Sequence, residues 1–515
     1  MRRLLWTIVG SALASHAAAG TLHQGLACLE RLDVPCARAV VDDLGAGSST
    51  NPNVLALAAR TNFYDAQYDE ALKQLEQAVA YGFDDPWDDV GLYRRTRDAT
   101  QGWVEHRVGN YRVNYRPGVD AVLLEDTIEA LEGAEQHIAP LLGGAFPGDV
   151  IVELFPDGRS FIAASSLTEE NVRTTGVVAL SKWSRLLITS PRALGRGYPW
   201  QDTIAHEYIH MVVAHHSDDK VPVWLQEAIA KYLDNRWRGD GDGFRLSVRQ
   251  QGLLADALAR DTLVSFEQMH PSLAKLPSAE LASLAYAQVS TMMAFAFEQA
   301  GDDVLPAVFE DIRGGTDAAE ALARGAGFVN FVEFEAAWLV YLQGLELRGE
   351  RLAEMPTVLD GGDQLDSDPV LSERADLARW VRIGDLLQER GHHQAALVEY
   401  AKAVPVDEPQ SPLLSNRMAQ AHLALGDERR ASAALEESLR NYPEFALSHK
   451  TLGAIRQREG SAEQAVASYI AALELNPFDP EVQQELVSLY RYLGQEEDAG
   501  RHERYLRILR RGGED

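Results

Sequence analysis

Four glycines near the C-terminus, Gly391, Gly426, Gly460 and Gly494, recur 35, 34 and 34 residues apart. Each is followed five positions later by an alanine: Ala396, Ala431, Ala465 and Ala499. Pro443 and Pro477 also fall 34 residues apart. A period of this length has room for two helices. Glycine suits the turn between them, and alanine suits the point where they touch. One such pair cannot bury its own apolar face, so the pairs must stack into a solenoid with a concave binding surface. This period constrains the C-terminal third more tightly than any composition does.

A second feature carries chemistry. His206-Glu207-Tyr208-Ile209-His210 has the spacing H-E-x-x-H. On a helix, residues i and i+4 lie one turn apart on the same face. His206 and His210 can therefore offer two imidazole nitrogens to one metal ion. Glu207, beside the first histidine, can reach a water in an open coordination position. Zinc is the usual occupant of such a site, with a third protein ligand. Only 14 of the 515 residues are histidine, so a chance match has odds on the order of a few per cent. The motif therefore needs a helix and a third ligand around it. Ile204, Ile209, Met211, Val212 and Val213 surround it, and neither Pro nor Gly interrupts 201–218.

Two residues compete for the third ligand. Pro222 opens a second helix in Val221-Pro-Val-Trp-Leu-Gln-Glu-Ala-Ile-Ala-Lys-Tyr-Leu-Asp234, with Glu227 one turn in. Its apolar neighbours make Glu227 a buried carboxylate in need of a partner, and a metal is one. The rival is His216, ten residues after His206. That spacing normally carries a glycine that lets the chain turn back, and here the position is Val213, a β-branched residue unsuited to positive φ. Glu227 is favoured. His215 and His216 suit a helix end, where a histidine is favourable against the dipole. Asp202 and Asp234 are the acceptors available to orient the histidines.

His206-Glu-Tyr-Ile-His210 followed by Pro222-Val-Trp-Leu-Gln-Glu-Ala-Ile-Ala-Lys-Tyr232 resembles the peptidase MA-like gluzincins. Those proteins carry H-E-x-x-H and then a P-x-W-L-x-E-[GA]-x-A-x-Y helix. The match is close over both helices and looser over roughly 108–345. It implies a zinc metallopeptidase fold with one Zn²⁺ per chain, held by His206, His210 and Glu227. Glu207 would be the general base that acts on a zinc-activated water. The stretch Leu284-Ala-Tyr-Ala-Gln-Val-Ser-Thr-Met-Met-Ala-Phe is also family-like, and its Tyr286 matches a position that stabilises the oxyanion. The chain departs from the aminopeptidase branch in having no G-x-M-E-N motif upstream. The C-terminal period resembles the tetratricopeptide repeat, whose expected ligand is a peptide or partner protein.

The remainder of the chain reads in order. Arg2 and Arg3, the apolar run 4–13 and Ala17-Ala18-Ala19 have the pattern of a cleaved signal peptide over 1–19. The mature protein is then periplasmic or secreted, with no membrane insertion after cleavage. The only cysteines, Cys28 and Cys36, are spaced to pair across a helix–loop–helix. Residues 20–84 read as helical, ending in one repeat-like helix pair (54–66 and 68–82). Strands are expected at 111–115, 150–155, 176–180 and 186–190, with helices at 119–142 and 159–166. The last two strands offer an edge that could hold an extended substrate. The region 246–345 reads as helical, and the Met- and Phe-rich stripe around Tyr286 reads as core packing. The acidic, turn-rich segment 351–372 reads as a linker. A net charge of −29 argues against nucleic acid and anionic lipid as direct partners.

The expected fold is an α+β gluzincin-like metallopeptidase domain (108–350) flanked by all-α tetratricopeptide-type helical repeats (20–84 and 373–515). The expected function is an exported zinc-dependent metallopeptidase acting on a peptide or protein substrate, with the repeats binding protein. The alternatives are an idle peptidase fold serving as a repeat scaffold in an envelope assembly, and zinc hydrolysis of a non-peptide amide.

Overall fold

A five-stranded sheet and a long repeat array are the two frames of the computed structural model. It describes residues 16–239, 244–269, 273, 276–350, 352–360, 365, 368–405 and 410–512. The charged and apolar parts of the expected signal peptide lie outside these residues. Among the described residues, no helix is long and apolar enough to cross a membrane.

The strands are β1 (Val104–Val108), β2 (Tyr111–Tyr115), β3 (Val150–Phe155), β4 (Ala179–Lys182) and β5 (Arg185–Thr189). Their order is β1-β2-β3-β5-β4. Two antiparallel hairpins, β1–β2 and β4–β5, flank a centre in which β2, β3 and β5 run parallel. All six residues of β3 are buried, as a central parallel strand covered on both faces requires. The sequence pattern anticipates β2, β3 and β5, places at 176–180 a strand that runs 179–182 as β4, and misses β1. Its residues Val-Glu-His-Arg-Val are all exposed, so no buried face imposes an alternation.

Three helices carry the candidate site: α1 (Trp200–Ser217), α2 (Val223–Leu233) and α3 (Ala279–Ala300). Pro199 precedes α1 and Asp218, in the left-handed region, ends it. Pro222 occupies the cap position of α2, where its missing N–H costs nothing. One core joins them to the sheet. Val152, Leu154, Leu186 and Ile188 meet Ile204, Tyr208 and Val212 of α1, Leu225 and Ile229 of α2, and Met292 and Met293 of α3.

The other face of the sheet carries the N-terminal helices His16–Glu30, Val34–Asp43, Pro52–Tyr64 and Tyr68–Ala80. A Cys28–Cys36 disulfide joins the first two. The join to the sheet is a buried polar cluster. Arg185 donates to Glu153 at 2.9 Å and to the Tyr68 hydroxyl, and Tyr68 donates to Glu153.

The C-terminal helices pair as 375–389 with 393–401, 412–424 with 428–441, 446–458 with 462–475, and 480–492 with 496–511. Gly391, Gly426, Gly460 and Gly494 each turn the chain within a pair at φ of +76 to +79°. All four period alanines are buried. A second pattern, sixteen residues apart, locks two pairs. A Cβ on Gly384 would lie 2.2 Å from the Tyr400 ring, and one on Gly453 would lie 2.7 Å from the Tyr469 ring. Glycine is needed there to admit the tyrosine of the second helix.

The segment that composition marks as a linker is packed onto the protein where it is described. Asp360 accepts from the backbone N–H groups of Gly158 (2.6 Å) and Arg159 (2.9 Å), and Leu359 bridges to Leu194. Asp368 is fully buried and accepts from Val370, Leu371 and Leu413. Asp360 and Asp368 thus each cap backbone N–H groups. The repeats also touch the rest of the chain directly. Tyr198 N–H donates to Leu475 O at 3.0 Å, and Arg504 pairs with Glu125 at 2.9 Å.

Candidate metal centre and active site

The i, i+4 spacing in α1 does what helix geometry dictates. His206 Nε2 and His210 Nε2 lie 3.1 Å apart. The uninterrupted second helix brings Glu227 to the same point. Its Oε2 is 3.5 Å from His206 Nε2, and its Oε1 is 3.8 Å from His210 Nε2. Two nitrogens and a carboxylate oxygen, all within 4.8 Å of one another, form a group able to hold a metal ion. A tetrahedral zinc with bonds of about 2.0–2.1 Å sets its ligands about 3.4 Å apart. The spacing and the donor set, two imidazoles and one carboxylate, both fit that ion.

The surroundings fix the rings. Asp234 Oδ2 lies 3.3 Å from His206 Nδ1, so that nitrogen carries the proton and Nε2 is left facing the cluster. The same oxygen receives Lys231 Nζ at 3.3 Å. Asp202 serves elsewhere, accepting from Trp237 Nε1 at 2.8 Å and from Arg238. Val213 is buried inside an unbroken helix, so the chain does not turn back there. His216 consequently meets the Gly144 carbonyl, 3.0 Å away, and stays out of the cluster.

Electrostatics divide the cluster. Burial and the Lys231 cation would lower the pKa of His206, but Asp234 and Glu227 outweigh them and raise it to about 9. Burial lowers His210 to about 4. Burial would raise Glu227, but His210 and His206 pull it down to about 2. His210 is therefore held neutral and Glu227 ionised, the forms in which each can ligate a metal.

Glu207 is buried and is not one of the three converging groups. Burial raises its pKa to about 7, with His206 and the Ser181 backbone amide of β4 pulling the other way. In β4, Ser181 shares a face with Ala179, which packs in the core with α1. The opposite edge of β4 pairs with no described strand. Tyr286, half-buried on α3, lies within the field of both Glu227 and Glu207. Burial and those two carboxylates raise its pKa well above 10, so its hydroxyl keeps its proton. Sequence reasoning passed over Lys231 and Ser181. Lys231, four residues after Glu227 on the same helical face, was within reach of the i, i+4 rule. Nothing local marks Ser181.

Comparison with solved structures gives low overall similarity. A crystal structure of MamA is 16% identical, covering 28% of this chain and 81% of that one, with a TM-score of 0.24. The TPR domain of P58(IPK) is 12% identical, covering 93% and 99%, with a TM-score of 0.23. Native yeast LTA4 hydrolase is 13% identical, covering 80% and 66%, with a TM-score of 0.29. No curated protein matches the chain. Residues 168–344, the stretch that holds α1, α2 and α3, match the sequence model of the Peptidase MA superfamily.

Proposed function

We propose that the chain is an exported, periplasmic or secreted, gluzincin-type metallopeptidase. It holds one zinc ion per chain on His206, His210 and Glu227, and its repeats hold a peptide or protein partner. The convergence of those three side chains with Glu207 beside them is the observation that carries this reading.

Zinc at this site would supply Lewis-acid polarisation of a water and of the scissile carbonyl. The residues do the rest. Asp234 holds His206 in the tautomer that points Nε2 inward. The Glu207 carboxylate takes a proton from the attacking water and delivers it to the departing amine nitrogen. The Tyr286 phenol donates to the carbonyl oxygen as charge builds there. The free edge of β4 offers backbone N–H and C=O groups to an extended substrate, which aligns it across the site. Burial of the cluster strengthens each of these interactions.

The test is digestion of a peptide pool by the purified mature protein. Cleavage should stop on chelation and return on adding zinc. A zinc-replete protein that leaves the whole pool intact would remove the peptidase reading.

A further inference from the structure

The turn joining β4 to β5 is Trp183-Ser184, and both residues lie in the left-handed region, at φ +55° and +59°. Lys182 and Arg185 pair on either side of it, so this is a two-residue hairpin. Such turns favour Asn-Gly, because two successive positive φ angles disfavour residues with bulky side chains. A turn like this persists only where its surroundings over-determine it.

Trp183 packs partly against the Phe155 and Leu187 cluster and under the Lys182 ammonium, 4.5 Å away, and the rest of the turn's surroundings come from the N-terminal helices. The Trp183 ring meets Phe63 edge-on at 5.2 Å. The Arg185 guanidinium lies over Phe63 at 4.5 Å and over Trp183 at 5.5 Å. The Ser184 hydroxyl donates to the carbonyl of Leu32 at 3.5 Å. Leu32 sits at the tip of the hairpin closed by Cys28–Cys36, and its neighbour Arg31 presents a carbonyl 3.3 Å from His215 Nδ1 at the end of α1. One tip therefore touches the strand hairpin beside Glu207 and the helix that carries both cluster histidines.

We infer that the N-terminal helical unit is a clamp for the candidate active site, with Trp183 as the positioning residue through which it fixes β4. This rests on the peptidase reading above. The strand that would align substrate is held by a turn its own sequence does not favour, and the helices of residues 16–80 supply what that turn lacks. The unit contributes to substrate binding without touching substrate.

The test compares full-length wild type, Trp183→Ala, and the double variant Trp183→Asn with Ser184→Gly. The double variant lacks the indole but favours the turn by itself. Trp183→Ala should keep its zinc and its kcat while KM rises about ten-fold, the worth of one backbone hydrogen bond to substrate. The Asn-Gly variant should return KM to near the wild-type value. Amide hydrogen exchange across 179–182 should quicken in Trp183→Ala and recover in the Asn-Gly variant, a readout that needs no activity. Wild-type KM and exchange in Trp183→Ala would overturn the clamp, as would an Asn-Gly variant that fails to recover. If the wild type hydrolyses nothing, the peptidase reading fails and the exchange data alone decide the clamp.

Discussion

Glu207→Gln should lower peptide hydrolysis by about 10²–10⁴-fold, the usual worth of a general base, while zinc content stays at the wild-type level. His206, His210 and Glu227 converge on one point, and Glu207 stands outside that set although it neighbours His206 in sequence. Glutamine keeps the shape of the buried side chain and can still accept from the Ser181 amide. It loses only the ability to take up and return a proton. Kinetics with zinc analysis on the same preparation checks this. Unchanged hydrolysis would remove the general-base role, and lost zinc would make Glu207 a ligand instead.

The largest expected effect on stability lies on the other face of the sheet. Glu153→Ala should destabilise the protein by about 3–5 kcal/mol, because it leaves a buried cation without its counter-ion. Glu153 and Arg185 are both fully buried, and Arg185 Nη1 depends on Glu153 and on the Tyr68 hydroxyl. The cluster joins the first helical unit to β3 and β5, so its loss should loosen that docking first. Replacing both Glu153 and Arg185 with apolar residues of similar volume should cost far less, since no unpaired charge remains. Denaturant melts of the two variants provide the comparison. A single variant as stable as wild type would mean that water reaches Arg185 and the cluster is not a closed join.

What the sequence reveals here follows from how local each feature is. His206 and His210 are legible because a four-residue spacing on a helix is a local rule. Glu227 is legible because Pro222 and an apolar flank frame it within one helix. The position of His216 becomes visible only in three dimensions, where α1 runs on to Ser217 and turns His216 toward Gly144. The repeat period is legible through its turn glycines and contact alanines. The pairing of Gly384 with Tyr400 and of Gly453 with Tyr469 is not, because it spans two helices. β1 escapes because a strand exposed on both faces has no pattern to display. The contacts of Tyr68 with Glu153 and Arg185 join positions 85 and 117 residues apart, far beyond any periodicity. The same holds for Asp360, which composition assigns to a solvated connector and which caps a helix 200 residues upstream.

Metal content of the purified mature protein decides whether the three converging side chains form a zinc site that supports peptide hydrolysis, with wild type, Glu227→Ala and His216→Ala measured together and each digested against the same peptide pool. One zinc per chain in wild type and in His216→Ala, lost in Glu227→Ala, with cleavage only where zinc is present, is the predicted result. Zinc retained in Glu227→Ala and lost in His216→Ala would contradict the ligand set. One zinc with no cleavage would leave the site standing and turn the account toward a repeat scaffold built on an idle peptidase fold.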